Sequence, residues 1–83
     1  MEPERLKQLI EEGLPGSHAE VQGDGQHFQA VIVSPAFEGK LPIARQRLVN
    51  AVLKEQFDSG ELHALSQHPL TPAEWEAEQR RQR

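Results

Sequence analysis

Four histidines, His18, His27, His63 and His68, are the side chains of this 83-residue sequence best suited to ligating a metal or moving a proton near neutral pH. Imidazole is the commonest metal-binding side chain. The sequence has no cysteine, which excludes a disulfide framework, a thiolate nucleophile and a thiolate metal site of the chain's own. Two imidazoles fall short of the three or four protein ligands zinc takes. A pair of histidines here would work best if a second molecule brought the other donors, and thiolates are what this chain lacks. Imidazole does replace thiolate at one iron of some iron–sulfur clusters, raising the reduction potential. The inventory therefore permits half of a shared cluster site without establishing it.

Whether any two histidines converge depends on the elements that carry them. Pro3 and the acids Glu2 and Glu4 precede Leu6, Leu9 and Ile10, one helical turn apart, and Gly13, Pro15 and Gly16 stop the run. A first helix over about 3–13 follows. Residues 17–22 alternate, with Ala19 and Val21 on one side, and Gly23-Asp24-Gly25 is a strong hairpin signal because its central residues tolerate positive φ. The returning strand, 27–33, is apolar on both parities from Ala30, which predicts a central strand covered on more than one side.

After a turn anchored by Phe37, a helical period starts at Pro42 with Ala44, Leu48, Ala51 and Val52 on one face, widened by Val49, Leu53 and Phe57, and stops at Asp58-Ser59-Gly60. A third strand over 61–67 is closed by Pro69. Thr71-Pro72-Ala73-Glu74 reads as a capping box, opening a helix that carries Trp75 as a docking anchor and then turns wholly polar. Residues from about 76 to 83 are expected to fray.

The predicted order is α-β-β-α-β-α in a single small α/β (α+β) domain over residues 1–83. The hairpin makes strands 1 and 2 antiparallel, and the long helix is the crossover a parallel pair requires, right-handed by rule. The outcome is a three-stranded mixed sheet with helices packed against it. His27 opens strand 2 and His63 lies near the start of strand 3. If those strands are neighbours, both rings stand at one sheet edge, on strands about 4.8 Å apart, beside the Asp24 hairpin. The ordinary alternative is a strand histidine satisfied by one backbone hydrogen bond, or a surface ring without a role. His18, with nothing near it in sequence to pair with, and His68, before a proline, are assigned that ordinary role.

Charge narrows the partners. The net charge of −4 provides no general cationic field for nucleic acid or anionic membrane. No apolar run approaches the roughly 18 residues of a membrane span, and the N-terminus is not a signal peptide, so the cytoplasm is the expected compartment. Lys40, Arg45, Arg47 and Lys54 are the basic residues at and along the crossover helix, where a solvated helix face competes with a phosphate-binding surface. No nucleophile arrangement or glycine-rich phosphate loop is present, so an enzyme is not expected.

Five fragments in order carry a resemblance: Gly23-Asp24-Gly25-Gln26-His27-Phe28 running into Val31-Ile32-Val33-Ser34; Phe37-Glu38-Gly39-Lys40; Arg45-Gln46-Arg47-Leu48-Val49-Asn50; Leu62-His63-Ala64-Leu65; and Leu70-Thr71-Pro72-Ala73-Glu74-Trp75. Over nearly the whole chain the sequence resembles the BolA family, within it the IbaG-like branch. The resemblance implies a domain similar to class II KH folds, although the Gly-x-x-Gly loop with which KH domains clamp RNA is missing.

It also implies a role in iron–sulfur cluster trafficking and iron homeostasis, as partner of a monothiol glutaredoxin. The heterodimer would share one 2Fe–2S cluster, with the glutaredoxin cysteine and glutathione supplying thiolates. The family's strand 3 histidine ligand matches His63. A second family ligand, cysteine or histidine, comes from the loop between strands 1 and 2. Here His27 is the candidate and Asp24 the fallback, since the position of the relatives' cysteine falls nearer Asp24. Gln46 stands where family members often carry a histidine between the two arginines. Some relatives are transcriptional regulators, so the alternative is a stress-response DNA-binding protein acting through Lys40, Arg45, Arg47 and Lys54. Free of a partner, the chain is expected to be a monomer or weak homodimer.

Overall fold

The computed structural model describes residues 1–81. In chain order the elements are α1 (Pro3–Gly13), β1 (His18–Gly23), β2 (His27–Val33), a 3-10 turn (Pro35–Phe37), α2 (Pro42–Val52), α3 (Lys54–Ser59), β3 (Ala64–Leu70) and α4 (Pro72–Arg81). The sheet order is β1-β2-β3, with β1 antiparallel and β3 parallel to β2. This is the predicted α+β architecture with a three-stranded mixed sheet. Gln82 and Arg83, the end of the stretch expected to fray, lie outside the described residues.

The core forms on one face of the sheet. Ala19, Phe28, Ala30 and Ile32 meet Leu6 and Ile10 of α1, together with Leu14, Phe37, Val49, Leu53 and Leu62. Burial of each large member of that cluster is worth about 1.5–3 kcal/mol against exposure. The other face does not match the expected two-sided cover of β2. His27 and Gln29 are exposed and Val31 is only half-buried. The run from Ala30 is apolar on both parities because Val33, at the strand end, is also buried.

Two further boundaries differ from expectation. The single crossover helix is two, broken at Leu53 (φ −102°, ψ 16°), a fully buried residue. The third strand begins at Ala64 and runs through Pro69 to Leu70. Residues 61–63 belong instead to the connection after α3, where Gly60 (φ 81°) ends the helix and the buried Leu62 donates its N–H to the Gln56 carbonyl at 3.0 Å. Pro69 does not close β3, because β3 is an edge strand where a missing N–H is tolerated.

The other edge, β1, is covered by α1 side chains. At Ala19, Glu11 Oε2 accepts the backbone N–H at 2.9 Å and Lys7 Nζ donates to the carbonyl at 2.8 Å. These contacts occupy edge-strand groups that would otherwise be open to pairing with another chain.

Candidate functional site

The hairpin that positions His27 is fixed by Asp24. Its Oδ1 accepts the backbone N–H groups of Gln26 at 3.1 Å and His27 at 3.0 Å, an Asx turn that folds the loop back onto the strand. Donation from the His27 N–H, and then from the Gln26 N–H, holds the Asp24 carboxyl below its usual range. Gly23 admits no side chain: a Cβ there would lie 2.5 Å from Phe28 Cδ1 and 2.6 Å from the His27 carbonyl oxygen. Gly25, at φ 100°, takes the left-handed turn position. His27 is thus tied to a tightly specified turn, while its ring is exposed.

The parallel register pairs His27 with Ala64, so His63 immediately precedes the residue beside His27. The two histidines do stand at one sheet edge. They are one residue out of register, since the partner of His27 is Ala64, the first residue of β3. His63 is exposed between the buried Leu62 and the half-buried Ala64. Among the described residues, no ring nitrogen of His63 or His27 makes a hydrogen bond or ion pair.

His18 and His68 differ. The His18 ring lies 3.2 Å from Glu20 Oε2 and 3.7 Å from Glu11 Oε2, and His68 Nε2 lies 2.9 Å from Glu78 Oε2. The expectation that His18 has no neighbour to pair with is corrected: strand alternation puts Glu20 on its face, and α1 delivers Glu11. Neither pairing creates a metal site, and no cluster of three His, Cys, Asp or Glu side chains that could hold a metal occurs among the described residues.

An open depression beside the hairpin is lined by Gln22, Asp24, His27, Gln29 and Ser66, among others. Asp24 and His27 share it; His63 does not line it. Gln22, Gln29 and Ser66 were missed at the sequence level, although strand alternation would place Gln22 and Gln29 on the uncovered face.

The basic set behaves differently from a phosphate-binding row. The Arg45 guanidinium donates to the Lys40 carbonyl at 2.8 Å, the Pro69 carbonyl at 3.1 Å and both Glu74 carboxylate oxygens at 2.6 and 3.4 Å. Only 11% of its side-chain surface is exposed. Four of its five N–H donors are spent inside the protein, which makes Arg45 a poor partner for a phosphate. Lys54 pairs with Asp58 one turn on. Among the described residues, Lys40 and Arg47 are exposed and without an ion pair. The Arg45 hydrogen bond, followed by that from the Thr71 N–H, lowers the Glu74 carboxyl to about 2.

Glu74 also completes the predicted capping box. Its Oε1 accepts the Thr71 N–H at 2.8 Å, and its own N–H donates to Thr71 Oγ1 at 3.2 Å. Trp75, expected to anchor α4, is half-buried, and α4 contains no fully buried residue.

The BolA-like protein family model matches residues 3–74. The chain belongs to the BolA-like family. It is 45% identical over 60 residues to BolA-like protein 1 of Bos taurus, covering 72% of this chain and 44% of that protein. Against the acid stress protein IbaG of Escherichia coli K12 it is 33% identical over 75 residues, 90% of this chain and 89% of the relative. Against the DNA-binding transcriptional regulator BolA of Vibrio cholerae the identity is 37%, over 90% and 67%. The chain therefore spans less than half of the bovine protein but most of IbaG. Among solved structures, a bolA homologue from Coxiella burnetii superposes with a TM-score of 0.85 at 42% identity, covering 92% of this chain and 97% of that one.

Proposed function

We propose that this BolA-like chain is a cluster-sharing adaptor: His63 donates an imidazole nitrogen to a 2Fe–2S cluster whose thiolates come from a monothiol glutaredoxin and glutathione. The observation that carries the reading is the division among the histidines. Among the described residues His63 and His27, at the same sheet edge but one residue out of register, keep both ring nitrogens unengaged, whereas His18 and His68 sit against carboxylates. A ligand must present a free nitrogen lone pair and a path to solvent. The donor set fits a shared cluster and no more, since without cysteine the chain cannot supply the thiolates that hold such a cluster.

His27 serves as the second donor ahead of Asp24. One Asp24 oxygen is committed to the turn, and imidazole suits iron better than a carboxylate. Asp24 then acts as a positioning residue, fixing the backbone from which the His27 ring projects. The role is ligand donation, not catalysis, and it tunes cluster retention and potential through the identity of the ligand. Anaerobic reconstitution of the mixed proteins with iron, sulfide and glutathione tests it. A visible circular dichroism spectrum distinct from that of the glutaredoxin alone is expected; identical spectra would reject the reading.

The name of the Vibrio relative and the unpaired Lys40 and Arg47 support a second reading, DNA binding at the start of α2. Binding should weaken with salt and weaken further in Lys40→Ala/Arg47→Ala. Equal affinity for promoter and random duplex at physiological salt would end it.

A further inference from the structure

Leu41 and Ile43 are the large hydrophobic side chains left exposed among the described residues, 73% and 55% respectively. They fall within the entry and first turn of α2, and Arg47 lies one turn beyond Ile43 on the same helix face. Lys40 immediately precedes them. The cations elsewhere are largely neutralised: Arg5 pairs with Glu61, Lys7 with Glu11, Arg45 with Glu74, Lys54 with Asp58 and Arg80 with Glu76. Among the described residues Lys40, Arg47 and Arg81 have no ion pair, and the first two bracket the two exposed aliphatic side chains of a chain whose net charge is −4.

We infer that the start of α2, formed by Lys40, Leu41, Ile43 and Arg47, is a docking surface for a protein segment that presents apolar side chains next to carboxylates. Charge complementarity selects this occupant. A second copy of the chain would have to cover Leu41 and Ile43 with its own Leu41 and Ile43, the other exposed aliphatics being absent among the described residues. That arrangement brings Lys40 and Arg47 of both copies together, and like charges in contact are unfavourable. Nucleic acid would gain two phosphate contacts and leave the aliphatic pair without an apolar partner.

The surface is separate from the histidine edge. Arg45 reaches the Pro69 carbonyl at the C-terminal end of β3, while His27 opens β2 and His63 immediately precedes β3, each strand being seven residues long. At about 3.3 Å per residue the two regions lie roughly 20 Å apart. A partner at α2 leaves both imidazoles open, so this chain can hold two proteins at once. The inference does not depend on the cluster assignment.

The test uses the full chain, labelled with nitrogen-15, titrated with a synthetic helical peptide carrying leucine and glutamate one turn apart, and with the same peptide bearing lysine in place of glutamate. Expected are amide shift changes confined to residues 38–48 with the acidic peptide, weaker with the basic one. Leu41→Ser/Ile43→Ser should lower affinity at least about tenfold, from the lost apolar burial. Both side chains are exposed, so the fold is retained and its amide spectrum checks this directly. Lys40→Glu/Arg47→Glu should reverse the preference between peptides. No shift at about 1 mM peptide, equal binding of both peptides, tighter binding of a random DNA duplex at the same amides, or concentration-dependent dimerisation through residues 38–48 would each overturn it.

Discussion

The two ends of the parallel β2–β3 pair are built on opposite plans. At the C-terminal end the side chains are tied to one another: Arg45 joins the Lys40 and Pro69 carbonyls to Glu74, Glu74 closes the capping box with Thr71, and His68 meets Glu78. At the N-terminal end the backbone is fixed by the Asx turn of Asp24 and the buried Leu62, yet among the described residues the two imidazoles it carries make no hydrogen bond or ion pair. Side-chain donors and acceptors are consumed at the closed end. Ligating capacity is left where only the backbone is pinned.

Removing the backbone constraint at the open end should give the largest stability loss. Gly23→Ala forces a methyl group into the His27 carbonyl and the Phe28 ring, and overpacking of this kind costs about 1–3 kcal/mol. Urea unfolding of the variant should show a lower midpoint, and an unchanged midpoint would mean the turn is not held as described.

The closed end should respond next. Arg45→Ala strips a mostly buried side chain of its contacts with two carbonyls and Glu74, and hydrogen bonds to charged groups are worth about 1.5–3 kcal/mol each where they are buried, less where solvent competes. The thermal midpoint should fall while the His63 and His27 amide resonances stay in place, which separates the two ends directly.

A pH series sharpens that result. The Glu74 carboxyl is lowered from an ordinary value of 4.5 to about 2, first by the Arg45 hydrogen bond. A carboxylate with a depressed folded pKa contributes stability above its unfolded value, and loses it as pH falls through the folded one. The stability gap between the wild-type chain and Glu74→Gln should therefore be full above about pH 4.5 and close between 4.5 and 2. A gap independent of pH across that window would show that the Arg45–Glu74 pair is not the source of the effect.

The smallest effects belong to the open histidines. His27→Ala and His63→Ala should leave the thermal midpoint of the free chain unchanged, because each exposed ring makes no bond that is lost. A marked drop for either would reveal a structural role.

Local rules made much of this fold readable. Asp24-Gly25 specified a hairpin, Thr71 to Glu74 a capping box, and the apolar period after Pro42 a crossover, and together these forced the mixed sheet and brought His27 near His63. What was not readable depends on tertiary contacts. Leu53 interrupts the crossover without a glycine or proline to mark it. Leu62 reads as a strand residue by alternation, but is buried as part of the connection that precedes β3. Glu74 lies 29 positions from Arg45, so no spacing rule joins them, and Arg45 looked like a surface cation. Glu11 reaches His18 from another element for the same reason.

The most direct experiment on the cluster assignment is the visible absorption and circular dichroism of the reconstituted complex with a monothiol glutaredoxin and glutathione, wild type against His63→Ala. Loss of the complex-specific bands in the variant, with the protein still folded and still bound to the glutaredoxin, is the expected result. Superimposable spectra from the two proteins would contradict ligation by His63.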